Sequence, residues 1–304
     1  MKKFSLNRLS LIAFAVLSII AVSCNEDNND GNPPAQSITD IVVSDPNFTT
    51  LKAAVVKAGL ADALATTNPL TVFAPDNAAF NASGITEATI NSLPVSAVDS
   101  ILKYHVLGAF VTSTSVPVSD AVNPLLGIKL FASRNANGVF VNGNRVKQAD
   151  ISASNGVIHV IDRVLIPPTR TIAQIAAADT SFSFLVAAVT RVGLLSAISG
   201  PGKFTVFAPT NAAFRAAGIT DIAAVPLATL TAVVQAHVLT TNVFASDLIN
   251  NTTVQTLQTG NLRITTPPAG VKIDGSTQPV SLINVANITA TNGVIHVLSR
   301  AMLP

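Results

Sequence analysis

The chain has 304 residues, of which 49% are hydrophobic and 11% charged, a composition that suits two domains of ordinary size. Its formal charge of +2 is owed to Lys2, Lys3 and Arg8; without residues 1–23, 15 Lys and Arg face 16 Asp and Glu. A balance near −1 leaves no basic patch to attract nucleic acid or an acidic membrane surface.

The first 23 residues read as an export signal. Lys2, Lys3 and Arg8 form a positive start, Leu9–Val22 is apolar, and the small residues Ala21 and Ser23 precede the cleavage point. At about 14 residues the apolar run is too short to span a bilayer as a helix. Cys24 follows at once and is the only cysteine, so it has no partner for an internal disulfide. Ala21-Val22-Ser23-Cys24 resembles the lipobox of bacterial lipoproteins, with Ala21 where Leu is usual. The resemblance implies that the Cys24 thiol carries a diacylglycerol and that several acyl chains anchor the protein, since one chain holds only marginally. Residues 24–36 lack apolar periodicity and read as a flexible tether. Their acidic run resembles the surface-export signals of Bacteroidetes lipoproteins, which implies the outer face of the outer membrane. A solvated linker facing the periplasm is the alternative.

Beyond the tether the chain repeats itself. Thr71-Val-Phe-Ala-Pro-Asp-Asn-Ala-Ala-Phe80 returns as Thr205-Val-Phe-Ala-Pro-Thr-Asn-Ala-Ala-Phe214, and Asn155-Gly-Val-Ile-His-Val160 returns as Asn292-Gly-Val-Ile-His-Val297. Between them Tyr104-His105-Val-Leu107 matches Ala236-His237-Val-Leu239. A period of this length means tandem domains and not a solenoid. The boundaries read as 37–167 and 171–304. The short junction Pro167-Pro168-Thr169-Arg170 points to closely held domains.

Within each copy, Phe48, Leu51, Val55 and Leu60 approach helical spacing, with Gly59 near the C-cap. Thr71-Val-Phe-Ala is a strand ended by Pro75, and Asp76, like Thr210, is placed to cap the next helix. Phe80 and Phe214 then face inward. Later the period changes to two. Val139–Val146 predicts a hairpin around Asn142-Gly143, Val271–Ser276 another around Asp274-Gly275, and Asn155-Gly156 and Asn292-Gly293 predict further turns. Helices first and strands later argue α+β.

The two long motifs, in this order and twice over, resemble the fasciclin (FAS1) family; the likeness covers nearly the whole mature chain. It implies two α+β domains, each a small twisted β-sandwich or wedge with several helices packed along one side. It also implies cell-surface adhesion to other cells, matrix or surface polymers. Some animal members bind integrins through an Asp-Ile pair before the second hallmark, and Asp150-Ile151 fits that position, making it a candidate adhesion contact. The second copy has Asn287-Ile288 and loses the carboxylate. The plainer account is that Asp150 closes a turn and Ile151 packs in the core.

No catalytic grouping stands out. His105, His159, His237 and His296 all lie inside repeated motifs and read as core rings bonded to backbone. Neither a Gly-x-Ser-x-Gly elbow nor a His-Glu-x-x-His motif occurs, and no ligand cluster calls for a metal or another cofactor. The expectation is a non-enzymatic protein. A ligand-binding accessory lipoprotein for glycans or small apolar molecules is the rival. A stacking platform for sugars is disfavoured, because the chain has no Trp and only Tyr104.

Overall fold

A computed structural model of the chain describes residues 36–67, 69–117, 119–258, 260–266, 271–274 and 281–303. Cys24, the export signal and the tether up to residue 35 lie outside the described residues.

The first repeat opens with helices α1 (Ile38–Ser44), α2 (Thr49–Ala58) and α3 (Ala61–Thr66). Strand β1 (Leu70–Pro75) follows, then α4 (Asn77–Ala82), α5 (Glu87–Ser92) and α6 (Val95–Tyr104). The rest is sheet: β2 (Val106–Leu107), β3 (Ser119–Val122), β4 (Leu130–Asn135), β5 (Gly138–Val141), β6 (Asn144–Ala153) and β7 (Gly156–Ile161). The second repeat has α7 (Ile172–Ala178), α8 (Ser183–Arg191), α9 (Leu195–Ser199), β8 (Phe204–Pro209), α10 (Asn211–Ala216) and α11 (Leu227–Ala236). Its sheet continues with β9 (Val238–Leu239), β10 (Thr253–Gln255), β11 (Asn261–Thr265), β12 (Lys272–Asp274), β13 (Ser281–Ala290) and β14 (Gly293–Leu298).

Each repeat builds one seven-stranded mixed sheet. The orders, β2-β1-β7-β6-β5-β4-β3 and β10-β11-β12-β13-β14-β8-β9, are the same topology read from opposite ends. Among the described residues the two hallmark motifs form the only parallel pair in each sheet, β1 with β7 and β8 with β14, and all other pairings are antiparallel. The long strands β6 and β13 carry register shifts, between Gln148 and Ile151 and between Val285 and Ile288. Such bulges bend a strand and sharpen its twist, so each sheet folds over on itself as a wedge.

Two apolar clusters per repeat result from this bend. In the first repeat Ile38, Phe48, Leu51, Phe80, Val98 and Ile158 join the helices to one face of the sheet. Phe73, Tyr104, Leu130, Val141, Val146 and Ile161 fill the inside of the wedge. The second repeat matches them with Phe182, Leu185, Phe214, Val233 and Ile295 outside the wedge and Phe207, Leu262, Ile273 and Leu298 within it. Burying one such side chain stabilises by about 1.5–3 kcal/mol. Strand alternation decides the split: Ile158 goes to the helices while His159 turns into the wedge, its ring 5.6 Å from that of Phe73.

Local expectations fare well where the chemistry is local. Gly59 ends α2 in the left-handed conformation (φ 67). The Asp76 carboxylate accepts from Ala79 N–H at 2.8 Å, and the Thr210 hydroxyl accepts from Ala213 N–H at 3.2 Å. Asn142 and Gly143 both have positive φ (47 and 74) and connect β5 to β6 as the paired Val141 and Asn144 require. The strands of the second predicted hairpin are paired antiparallel, Ile273 of β12 with Ser281 of β13, while Asp274 pairs with Arg263 of β11 on the other side. Gly275, and with it the predicted Asp274-Gly275 turn, lies outside the described residues. At the second hallmark the turn lies one residue earlier than predicted, on Ser154-Asn155 and Thr291-Asn292, because Ala153 pairs with Gly156 and Ala290 with Gly293. Among the described residues no single helix is long and apolar enough to cross a membrane.

Candidate functional site

The repeated polar residues hold the fold together. Asn155 is buried and accepts from Ile38 N–H (2.9 Å) while its amide donates to Leu64 O (2.7 Å) and Thr67 O (3.1 Å). Asn292 repeats this with Ile172 N–H, Ile198 O and Gly200 O. One side chain thus ties the first helix of each repeat to the central strand. The glycine after it serves close approach: a Cβ on Gly156 would lie 2.0 Å from Leu70 O, and one on Gly293 2.0 Å from Phe204 O.

The four histidines fall into two kinds. His105 faces Ile101 O through Nδ1 (2.8 Å) and accepts Leu165 N–H at Nε2 (2.9 Å). His237 does the same with Val233 O (2.7 Å) and Met302 N–H (3.0 Å). His159 is turned round: Nδ1 accepts Asp150 N–H (3.2 Å) and Nε2 faces Val111 O (2.8 Å). His296 matches it with Asn287 N–H (3.3 Å) and Val243 O (2.8 Å). A carbonyl only accepts and an N–H only donates, so the partners fix each neutral tautomer. Both ring nitrogens are consumed in all four cases. Burial pushes His105, His237 and His296 down to about 4, against the opposing pull of their carbonyl partners. Such rings bridge backbone segments and have no nitrogen left for proton transfer.

Asp150 occupies a positive-φ position (φ 60) at the bulge of β6, as Asn287 does in β13 (φ 60). Its carboxylate accepts from Ser113 N–H (2.8 Å) and from the Ser113 hydroxyl. Burial raises its pKa, but the two Ser113 bonds and the neighbouring His159 outweigh that and leave it lowered. Asn287 keeps only the backbone bond, to Ala245 N–H at 2.8 Å, and Ala245 has no hydroxyl to offer. Asp150 remains exposed, while Ile151 packs against the helical cluster. Tyr104 is buried in the wedge, where its hydroxyl donates to Lys129 O (3.2 Å) and accepts from the Asn142 amide (3.0 Å). Burial raises its pKa to about 12, opposed by the Asn142 bond. It is unavailable as a surface contact.

The two repeats touch. The Ser133 hydroxyl donates to Asp247 Oδ1 (2.6 Å), the Asn135 amide donates to Ser246 O (2.8 Å), and the Phe131 and Phe244 rings lie 5.9 Å apart. Beside this seam is a cleft of about 490 Å³ lined from both sides, by Asp120, Phe131 and Arg134 and by Lys203, Asn242 and Thr253 among others. Nothing in the hallmark motifs announces it. The available signal is an exchange at one aligned position, Phe110 in the first repeat for Asn242 in the second. An apolar cavity of about 120 Å³ also lies between α1, α2, α3 and β1, and its counterpart in the second repeat has shrunk to about 20 Å³. Among the described residues no group of three or more His, Cys, Asp or Glu is placed to hold a metal ion.

With this geometry in hand, the family model for the fasciclin domain matches residues 46–167 and 180–304. The chain belongs to the fasciclin-domain family. Human periostin is 29% identical over 273 residues, covering 88% of this chain and 31% of periostin. The Synechocystis protein sll1483 is 40% identical over 136 residues, covering 44% of this chain and 75% of that protein. The chain thus spans about a third of periostin's length. A solved FAS1 domain pair from the insect cell adhesion molecule Fasciclin I aligns with a TM-score of 0.42 at 17% identity, over 84% of this chain and 96% of that one.

Proposed function

We propose that the protein is a non-enzymatic adhesion or scaffold module. Lipid on Cys24 holds it to the outer membrane, and it presents two fasciclin domains at the cell surface to other cells, matrix or surface polymers. The observation that carries the reading is that two fasciclin domains occupy nearly all of the mature chain. Every histidine in them is committed to backbone on both ring nitrogens. Two linked domains gain avidity from weak single contacts, which suits attachment.

The anchor and the activity are separable by experiment. Replacing Cys24→Ser is expected to abolish incorporation of labelled fatty acid and to release the protein from the membrane fraction. Protease treatment of intact cells is expected to remove it, whereas a periplasmic protein would be spared. Deleting the gene is expected to reduce attachment or aggregation; a strain that attaches as before would refute the adhesive role.

A further inference from the structure

The cleft between the repeats holds a polar side chain that the fold does not use. Asn242 lines it, and both the amide nitrogen and the amide oxygen are buried with no hydrogen-bond partner among the described residues. Buried amides are seldom left unpaired, and one that is calls for an explanation. Asn155 and Asn292, by contrast, spend donors and acceptor alike on backbone. The fold itself does not demand an amide here, because the first repeat has Phe110 at this position, 55% exposed.

The surroundings define what would complete the amide. It offers two donors and one acceptor. Arg134 donates through Nε to Val116 O (3.3 Å), and its terminal nitrogens make no hydrogen bond among the described residues. The half-buried ring of Phe131 supplies an apolar wall. Charge is balanced across the seam, with Lys203 facing Asp120 at 3.8 Å and Asp247 already accepting from Ser133. A polyanion would find no net attraction. An extended peptide would find only short sheet edges, and at β3 the Ala121 N–H is already taken by the Asp120 carboxylate (2.7 Å). Hydroxyls that donate and accept, set around a C–H face, fit all of these groups. The cleft's 490 Å³ lies within the range of small-ligand sites.

We propose that this cleft is a carbohydrate site, taking one or two neutral sugar units of a surface polymer. The outer torsion of an asparagine is broad, so the Asn242 amide turns into the cleft at little cost and pairs with neighbouring hydroxyls. Arg134 adds donors, and Phe131 packs on the sugar ring. The proposal names a ligand class for the surface-polymer reading above and rests on that reading only for the source of the sugar.

The test uses the mature two-domain chain. Neutral glycans, acidic glycans and extended peptides are screened by thermal shift, and hits are titrated by calorimetry against wild type, Asn242→Ala and Arg134→Gln. A neutral glycan is expected to raise the melting temperature of wild type. Asn242→Ala should weaken that binding at least tenfold, yet without ligand it should melt at or above wild type, because the unpaired amide is gone. Arg134→Gln, at an exposed position, should weaken binding severalfold with an unchanged melting temperature. The proposal is overturned if no neutral glycan binds, if acidic glycans or peptides bind instead, if both variants bind like wild type, or if unliganded Asn242→Ala melts below it. Cell attachment separates the two readings. Loss of attachment on gene deletion but not with Asn242→Ala defeats the cleft alone; sugar binding without any attachment defect on deletion defeats adhesion alone.

Discussion

The two repeats share the residues that hold backbone to backbone and differ where a surface meets something else. Asn155 and Asn292 make the same three bonds, and the paired histidines keep the same orientation. Lys57 and Arg191 are chemically different yet do one job, donating to carbonyls of the segment just before the last helix of each repeat: Ile90, Asn91 and Leu93 at the end of α5 in one, Ile222 and Val225 of the α10–α11 loop in the other. At the seam the parallel fails. Asn287 lies against the hairpin turn of the first repeat, where a Cβ on Gly143 would come within 2.5 Å of its amide nitrogen. A carboxylate there would be partly desolvated by the neighbouring repeat, at a cost an amide avoids. The matching corner of the first repeat, at Asp150, is open. Sequence difference between the copies therefore marks environment, whereas identity marks architecture.

The largest expected effect tests the identical part. Gly156→Ala and Gly293→Ala each drive a methyl group into the carbonyl of the paired strand, and that strand cannot retreat without losing the parallel pairing. A loss of about 4 kcal/mol or more is expected for either, well beyond an ordinary substitution. Calorimetry should show the substituted repeat losing its transition while the other retains one. Equal mild effects, below about 1 kcal/mol, would show that the strands can part enough to relieve the 2.0 Å approach.

Acid should weaken the shared part next. An unfolded histidine takes its proton near 6.5, but folded His105, His237 and His296 resist until about 4. The unfolded state thus binds protons first as pH falls. Stability is full above about 6.5, declines through the interval, and is lowest near 4. Each ring costs on the order of 3 kcal/mol at the bottom of that window. His105 and His237 occupy matching places, so both repeats should lose stability across this window. A melting temperature that stays level between about pH 7 and pH 4.5 would contradict this.

A smaller effect probes the seam. Ser133→Ala removes one bond to the Asp247 carboxylate, an interaction with a charged group that contributes about 1.5–3 kcal/mol. The Asn135 bond and the Phe131–Phe244 contact remain, so the repeats should stay together with weaker coupling. Two melting transitions that draw apart in the variant, with neither repeat unfolded, are the expected record.

Much of this was legible in the chain because it is local. Asp76, Thr210, Gly59 and the Asn142-Gly143 turn act within a few residues of themselves, and the long hallmark motifs carried the domain pair and its α+β class. The place of the second hallmark turn was not legible, because the long-range pairing that sets Ala153 opposite Gly156 puts it on Ser154-Asn155. The reach of Asn155 to Ile38 was not legible either, since 117 residues separate the partners. The cleft was the least legible feature. It is made by two repeats meeting, and neither copy alone contains the pattern of Phe131 and Arg134 facing Asn242.

The finest test of the comparison is to give the first repeat the second repeat's residue, Asp150→Asn. Asparagine tolerates the positive φ that the bulge requires, and its side-chain oxygen can keep the bond from Ser113 N–H as Asn287 keeps that from Ala245. The Asp150 N–H donor to His159 is backbone and unaffected. What changes is the bond from the Ser113 hydroxyl and the charge beside His159, whose Nδ1 lies 4.0 Å from the carboxylate. The hydroxyl must rotate and accept from the new amide, so a stability change within about 1 kcal/mol is expected at neutral pH. The carboxylate's lowered pKa gives wild type a contribution present above the ordinary carboxylate range and lost as pH falls through the folded value. The variant lacks that dependence, so the two melting curves should converge in acid. Attachment then assigns the role. Loss of attachment at unchanged stability makes the exposed carboxylate an adhesive contact. Retained attachment means that Asp150 serves to hold the Ser113 turn, the same task Asn287 performs at a corner the first repeat has covered.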